Sequence, residues 1–538
     1  MTATLTPERS GRSPEADGKD SFGRLVHAEW TKFRTVRGWV IATVIAVALT
    51  AAVGLYAASG PQTGCQPVGP SGPIGPPGPC KPSNPVGPGG EAVSDGYYFV
   101  HQALRGNGSI TVRVTSLTGR SSPPGGGIVP GPDPEQNFTS ALQPWAKAGI
   151  IVTASTRQGS AYAAMMITGG HGVRMQYDYT GDTPGLPGAV SAASPRWLRL
   201  VRKGDTLTGY DSAYGTHWTR VGTVSLAGLP ATVQAGPFVT SPAWVQTENS
   251  GPTVATAVFD HVSLPGGASG AGWRGASIGA ATAGNARVSS SLPGRFHAAG
   301  GTFTVTGSGD IAPAGPGPTD IGEAADDGFV GAFAGLIVVI VVGAMFITAE
   351  YRRGLIRTTF AAIPGRGRVL AAKATVVGSV TFVAGLIGAA PIIPVGASLL
   401  RSHGNYVFPM STLTEVRLVA GIAALLAVTA VLALAAGTIL RHAPGAITVV
   451  IALTVVTYFF SVPLAVLPAG AADWLLRVTP AAGFAVQQYV PAYPQVNNIY
   501  TPQHGYFPLA PWAGLGVLCL WAAAALWLAT VLLRRRDA

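Results

Sequence analysis

Charge is what this chain lacks. Its 24 acidic and 35 basic residues fill only 11% of 538 positions, where soluble domains carry about a quarter. So sparse a charge set excludes an ordinary soluble enzyme and points to an integral membrane protein. Cysteine is scarce at 3 residues, which excludes a scaffold built on disulfides. No GxxxxGK[ST] phosphate loop occurs, so the chain is not expected to hydrolyse nucleotide by itself. Its 9 histidines include His101, His171, His217 and His261, which stand singly and not at ligand spacing. No metal, cofactor or catalytic residue is therefore expected.

What the chain has is long apolar runs, with 47% hydrophobic residues overall. Stretches of about 20 residues, the length that crosses a hydrocarbon core, lie at 39–58, 329–348, 374–397, 418–440, 446–467 and 512–533. The first stands alone. Roughly half the chain then follows as Gly/Pro/Ser-rich polar sequence, and the apolar runs resume only at Phe329. A signal peptide is the other reading of the first run, but its long polar leader and its length favour a retained span.

The net charge of +11 is not a nucleic-acid stripe. Arg24, Lys32, Arg34, Arg37, Arg352, Arg353, Arg357, Arg366, Arg368, Lys373, Arg441 and Arg534 to Arg536 all sit beside apolar runs, the positive-inside distribution. It places both termini in the cytoplasm and residues 59–328 outside a cell membrane crossed several times. Cys65 and Cys80 then lie outside, where an oxidising compartment lets them pair. Between them Gly69, Gly72, Gly75 and Gly78 recur every third residue among prolines, which reads as a stiff polyproline stalk.

From 95 to 264 the pattern changes to period two. Ile110, Val112 and Val114 alternate with polar residues, as do Val173, Met175 and Tyr177, the signature of half-buried strands. Further strands are expected at 148–154, 161–168, 196–202, 206–211, 217–224, 232–240 and 254–264, giving an antiparallel β-sandwich. The runs PWAKAGIIV (Pro144 to Val152) and PRWLRLVRKGDTLTGYDSAYGTHWTRVGTVSL (Pro195 to Leu226) resemble bacterial jelly-roll modules of the concanavalin A-like, laminin G-like superfamily. Such a fold hosts many functions. Tyr210, Asp211 and Trp218 are candidate contacts to an extracellular glycan, whereas Trp197 and Trp145 are expected to fill the core. Asp178, Asp182, Asp205, Asp211 and Asp260 lie mostly in turns without the paired spacing that glycoside hydrolysis needs. Residues 265–328 read as a return linker with a small β element at 302–306.

Ahead of the first span, Phe22, Leu25, Val26, Trp30 and Phe33 share one helical face, so 1–38 is expected to be a tail ending in an amphipathic helix in the headgroup plane. The frame LVHAEWTKFRTVRGW, the segment Glu350 to Lys373, the run TPAAGFAVQQ (Thr479 to Gln488) and the spans at 329–538 together resemble an ABC transporter permease of the type 2 exporter class. The resemblance implies an interface helix bearing Glu29, Trp30, Lys32 and Arg34. It also implies a coupling segment with Glu350, Arg352, Arg353, Arg357, Arg366 and Arg368 that docks on a separate cytoplasmic ATP-binding subunit, in a homodimer or a heterodimer with another permease. The large insert between the first two spans departs from simple members of the class. The fold expected is thus a polytopic helical membrane domain of about six spans with an extracytoplasmic antiparallel β-sandwich between spans 1 and 2, joined by a stalk over 59–94. The competing reading is a membrane-anchored carbohydrate-binding, sensing or adhesion protein.

Overall fold

The computed structural model describes residues 17–60, 84–124, 135–246, 249–267, 272–279, 292–316, 330–355, 365–462 and 466–535, with four dipeptides between 64 and 79. Among them, six helical stretches are long and apolar enough to cross a membrane: Arg37–Ser59, Val330–Arg352, Arg366–Ser402, Thr412–Leu440, Ala443–Ser461 and Pro511–Arg535. In chain order the helices are α1 (Asp17–Thr35), α2 (Arg37–Ser59), α3 (Val330–Arg352), α4 (Arg366–Ala389), α5 (Ile392–Ser402), α6 (Thr412–Leu440), α7 (Ala443–Ile451), α8 (Thr457–Ser461), α9 (Ala469–Val478) and α10 (Pro511–Arg535). Pro391, which has no amide hydrogen to donate, separates α4 from α5. A π turn over Ala452–Val456 joins α7 to α8.

Small residues set the helix spacing. A Cβ on Gly331 would stand 2.1 Å from the Thr50 carbonyl, and one on Gly343 would stand 2.2 Å from the Ala430 carbonyl. The backbones of α2, α3 and α6 therefore touch directly, the packing that membranes favour where no hydrophobic drive exists between helices. α6 is the central column, buried along most of its length and capped at its start by Ser411, whose Oγ accepts from the Thr414 amide. After α9 the chain tightens into a 3₁₀ turn, Pro480–Gln487, whose side chains are all buried. Phe484 there stacks on Phe333 of α3, with ring centres 4.7 Å apart.

The insert is a sandwich of two antiparallel sheets, the architecture that its alternating pattern foretells. One sheet runs Gly181–Pro184, Val173–Tyr177, Tyr162–Thr168, Lys147–Thr153, Thr232–Thr240, Tyr97–Arg105, Arg274–Ile278. The other runs Thr219–Ser225, Thr206–Ser212, Arg196–Lys203, Gly108–Ser121, Thr253–Ser263, Thr302–Gly307, Arg295–Ala299. Ile110, Val112, Val114, Ile150, Met165, Leu198 and Phe259 pack between them. Strands at 274–278 and 295–307 belong to the two sheets, so the sandwich continues through part of what reads in sequence as a return linker. These strands are short and Gly-flanked, which hides their period.

The first sheet is buried on its second face too. Tyr97, Phe99, Ile151, Tyr162, Met166 and Phe238 meet Val93, Tyr179 and Ile311 there. Val93–Asp95 pairs with Ile311–Pro313, and the Ala314 amide bonds the Ala92 carbonyl at 2.9 Å, so the two ends of the module are zipped together. Lys147, fully buried, donates to Asp310 at 2.5 Å and to the Ile311 carbonyl at 2.7 Å. Within the stalk region Gly64 and Cys65 pair with Pro79 and Gly78. The expected Cys65–Cys80 bridge lies outside the described residues.

Candidate functional site

One end of the helical bundle gathers the cations. α1 buries Phe33 and Glu29 together. Glu29 lies three residues after Val26 and four before Phe33, so helical geometry puts it on the apolar face. Lys373 of α4, with no exposed surface, donates to Glu29 Oε2 at 2.7 Å and to Glu350 Oε1 of α3 at 2.6 Å. Lys32 closes the ring, donating to Glu29 at 3.0 Å and Glu350 at 3.3 Å. Two positive and two negative side chains thus neutralise one another where three helices meet. Phe346 supports them, its ring 4.8 Å from Lys373 Nζ and 5.8 Å from the ring of Phe33. Burial tends to lower the pKa of Lys32, but Glu29 and Glu350 outweigh it and hold the amine above its ordinary value.

Around this neutral core stand Arg34, Arg352, Arg353, Arg368, Arg534 and Arg535, all exposed. Arg366 bonds the Leu533 carbonyl at 2.6 Å, and Arg441 lies 5.3 Å over the Tyr351 ring. Of the residues expected to form a coupling surface, Arg352, Arg353 and Arg368 face outward, Glu350 is turned into the ring, and Arg357 lies outside the described residues. The polar stretch 350–373 is only partly interhelical, since α3 runs on to Arg352 and α4 begins at Arg366. The spans therefore do contain charges, Glu350 and Lys373, which an apolar-window reading assigns to a loop. Trp30 is 42% exposed, beside an apolar groove of about 400 Å³ formed with Val44, Val383 and Ile387.

The opposite end carries the sandwich. Side-chain amides of the last long loop donate to its backbone: Gln495 to Thr180 at 3.1 Å, Asn497 to Ala243 at 2.7 Å and Asn498 to Pro316 at 3.1 Å. Gln488, next to the 3₁₀ turn, receives Arg417 on its carbonyl at 2.7 Å and the Phe507 amide on its Oε1 at 3.0 Å. A crevice of about 160 Å³ at this seam is lined by Glu91, Phe408, Met410, Tyr489 and Tyr493.

On the sandwich, the candidate glycan contacts separate. Asp211 points inward with 1% of its surface exposed and accepts from the Leu186 amide at 2.6 Å. Burial raises its pKa, and it pins a loop instead of meeting solvent. Tyr210 is half-buried on the outer face, and Trp218 lies under the Arg199 guanidinium at 3.9 Å. Trp197 is not a core residue either. It sits on that same outer face between Arg113, at 5.6 Å, and His261, at 5.1 Å. Trp145, in the turn before the strand Lys147–Thr153, is buried as expected and stacks on His171 at 3.9 Å. Alternation alone could not tell the two faces of these strands apart.

The other carboxylates are occupied. Asp260 chelates Arg113, Asp182 takes Arg174 and Gln176, Asp178 accepts the Tyr162 amide, and Asp205 accepts the Gly228 amide. Among the described residues no group of three or more His, Cys, Asp or Glu side chains is placed to hold a metal ion.

The class these features define is a polytopic helical protein of the membrane bearing an antiparallel β module. No family model and no curated protein matches the sequence. Among solved structures it is similar to a functionally unknown protein from Saccharomyces cerevisiae, at 17% identity over 35% of this chain and 84% of that one, with a TM-score of 0.22. It is also similar to scytalido-glutamic peptidase bound to a transition state analog inhibitor, at 9% identity over 39% of this chain and 98% of that one, TM-score 0.24. A third is the GH43 protein BlXynB from Bacillus licheniformis, at 17% identity over 25% and 24% of the two chains, TM-score 0.15. Likeness at this level says nothing of activity.

Proposed function

We propose that the chain is the membrane-spanning half-unit of an ATP-driven exporter of the ABC type 2 class, working with a separate cytoplasmic ATP-binding subunit and dimerising with a second copy or another permease. The observation that carries this reading is the neutral ring of Glu29, Lys32, Glu350 and Lys373. A half-unit driven from outside its own chain needs an end that moves as one body with its spans. The ring ties α1 to α3 and α4 in that way, and exposed arginines beside it offer a docking surface to an acidic partner. The positive-inside rule turns this end to the cytosol and the sandwich to the exterior.

The seat of the module supports joint action of sandwich and helices over a sandwich that merely hangs from an anchor. It touches the loop that continues into the buried 3₁₀ turn. The test is co-purification with a cytoplasmic ATP-binding subunit co-expressed with this chain, followed by ATP hydrolysis in reconstituted vesicles. Stable assembly with stimulated hydrolysis is expected. A chain that binds no such subunit refutes the reading.

A further inference from the structure

The sheet turned away from the helices carries a row of basic and polar side chains on its outer face. Residues directly opposite on paired strands share a face, and the register sets Arg220 opposite Tyr210, Tyr210 opposite Arg199, and Arg199 opposite Thr111. The row crosses adjacent strands, its members about 4.8 Å apart. Arg199 is held in place: its Nε donates to Thr111 Oγ1 at 3.1 Å, and its plane lies 3.9 Å over Trp218. That fixes the fork of a half-buried arginine whose two terminal amino groups make no hydrogen bond among the described residues, the edge that grips an oxyanion in two places. Arg220 is exposed and has no ion pair among the described residues, and Lys203 extends the same face two residues beyond Val201. The carboxylate that these strands turn outward, Asp260, is already chelated by Arg113. The face is left with uncompensated positive charge.

Two of its aromatic rings carry guanidinium groups, Trp218 under Arg199 and Trp197 under Arg113. Those two ring faces are closed to a stacked neutral sugar or nucleobase, and beside them the surface offers charge. The loops of the helical bundle meet the module at Thr180, Ala243 and Pro316, by the other sheet and the neck, so the row faces away from the chain's own bilayer.

We propose that this row binds an anionic polysaccharide, with Arg199 and Arg220 gripping its carboxylate or sulfate groups and the Tyr210 hydroxyl bonding between them. The proposal rests on the outward placement of the module given above, not on the ATP-binding partner.

The experiment uses the full chain in detergent, without any ATP-binding subunit, so that its failure is distinguishable from failure of the exporter reading. Binding is measured to polygalacturonate, which carries carboxylates, to dextran sulfate, and to neutral dextran. Binding to at least one charged polymer is expected, weakening steeply as salt rises, with none to neutral dextran. Arg199→Gln with Arg220→Gln should lose at least ~10-fold in affinity, while Arg105→Gln on the first sheet keeps it. Arg220→Glu, on an exposed edge strand where the fold is insensitive, should lose more than Arg220→Gln. Equal binding of neutral dextran, affinity untouched by the Arg220 variants, or tighter capture by phosphatidylglycerol vesicles than by either charged polymer would overturn the proposal.

Discussion

At the scale of single residues, Asp95 shows how a fold can hold a charge it does not favour. The carboxyl accepts from the Tyr179 hydroxyl at 2.8 Å and from the Gly159 amide at 2.9 Å, yet burial dominates and raises its pKa to about 6 from 3.8. Folding then takes up a proton here that the unfolded chain has released, so the contribution of Asp95 to stability is greatest below about pH 4, falls as pH rises to about 6, and is level above that. The difference is about 3 kcal/mol, and Asp178 and Glu91, also raised chiefly by burial, act in the same direction. Thermal unfolding of the sandwich in the intact chain should therefore come at lower temperature at pH 8 than at pH 5, and Asp95→Asn should flatten that slope. Lys373 makes the opposite case, a charge fully matched by its neighbours. Lys373→Met leaves two carboxylates facing only Lys32 and should cost about 3–5 kcal/mol, read as a drop in melting temperature in detergent. Adding Glu29→Gln and Glu350→Gln should restore most of that loss.

At the scale of elements, the seam between sandwich and helices combines an apolar cluster of Ala92, Ala314 and Phe408 with neutral hydrogen bonds, each contributing about 1 kcal/mol. Replacing Gln495, Asn497 and Asn498 by Ala should leave both parts folded while hydrogen exchange quickens over 480–507, and unchanged exchange there would show that the amides do not fasten the module. Much of the element map was legible beforehand. Leu, Val and Ala runs long enough to cross a membrane fall on the six spanning helices, and alternation at Ile110, Val112 and Val114 falls on a strand with those residues inside. What stayed hidden depends on partners distant in sequence. Glu29 and Lys373 are 344 residues apart, so neither reads as half of a pair, and each looks like an ordinary border cation or anion. Strands 147–153 and 162–168 are buried on both faces, and Trp197 faces outward, because alternation names two faces without saying which is covered. Helix contact was likewise invisible: Gly343→Val should force α3 off α6 and cost about 1–3 kcal/mol, measurable as a lowered melting temperature.

At the scale of the whole molecule, charge and bulk divide between the two ends of the bundle. Arg352→Ala, Arg353→Ala and Arg368→Ala together should reduce partner-stimulated ATP hydrolysis while leaving the chain inserted, and full stimulation would place the docking surface elsewhere. Protease added to intact cells should cut within the sandwich and spare both tails. The zipped neck carries a consequence for heredity as well as for mechanics. Where the polypeptide departs for the sandwich and where it comes back are hydrogen-bonded neighbours, Ala92 beside Ala314. A few residues would suffice to splice one margin to the other, so the whole module is a cassette that a lineage can gain, exchange or discard without redrawing the helices it sits on.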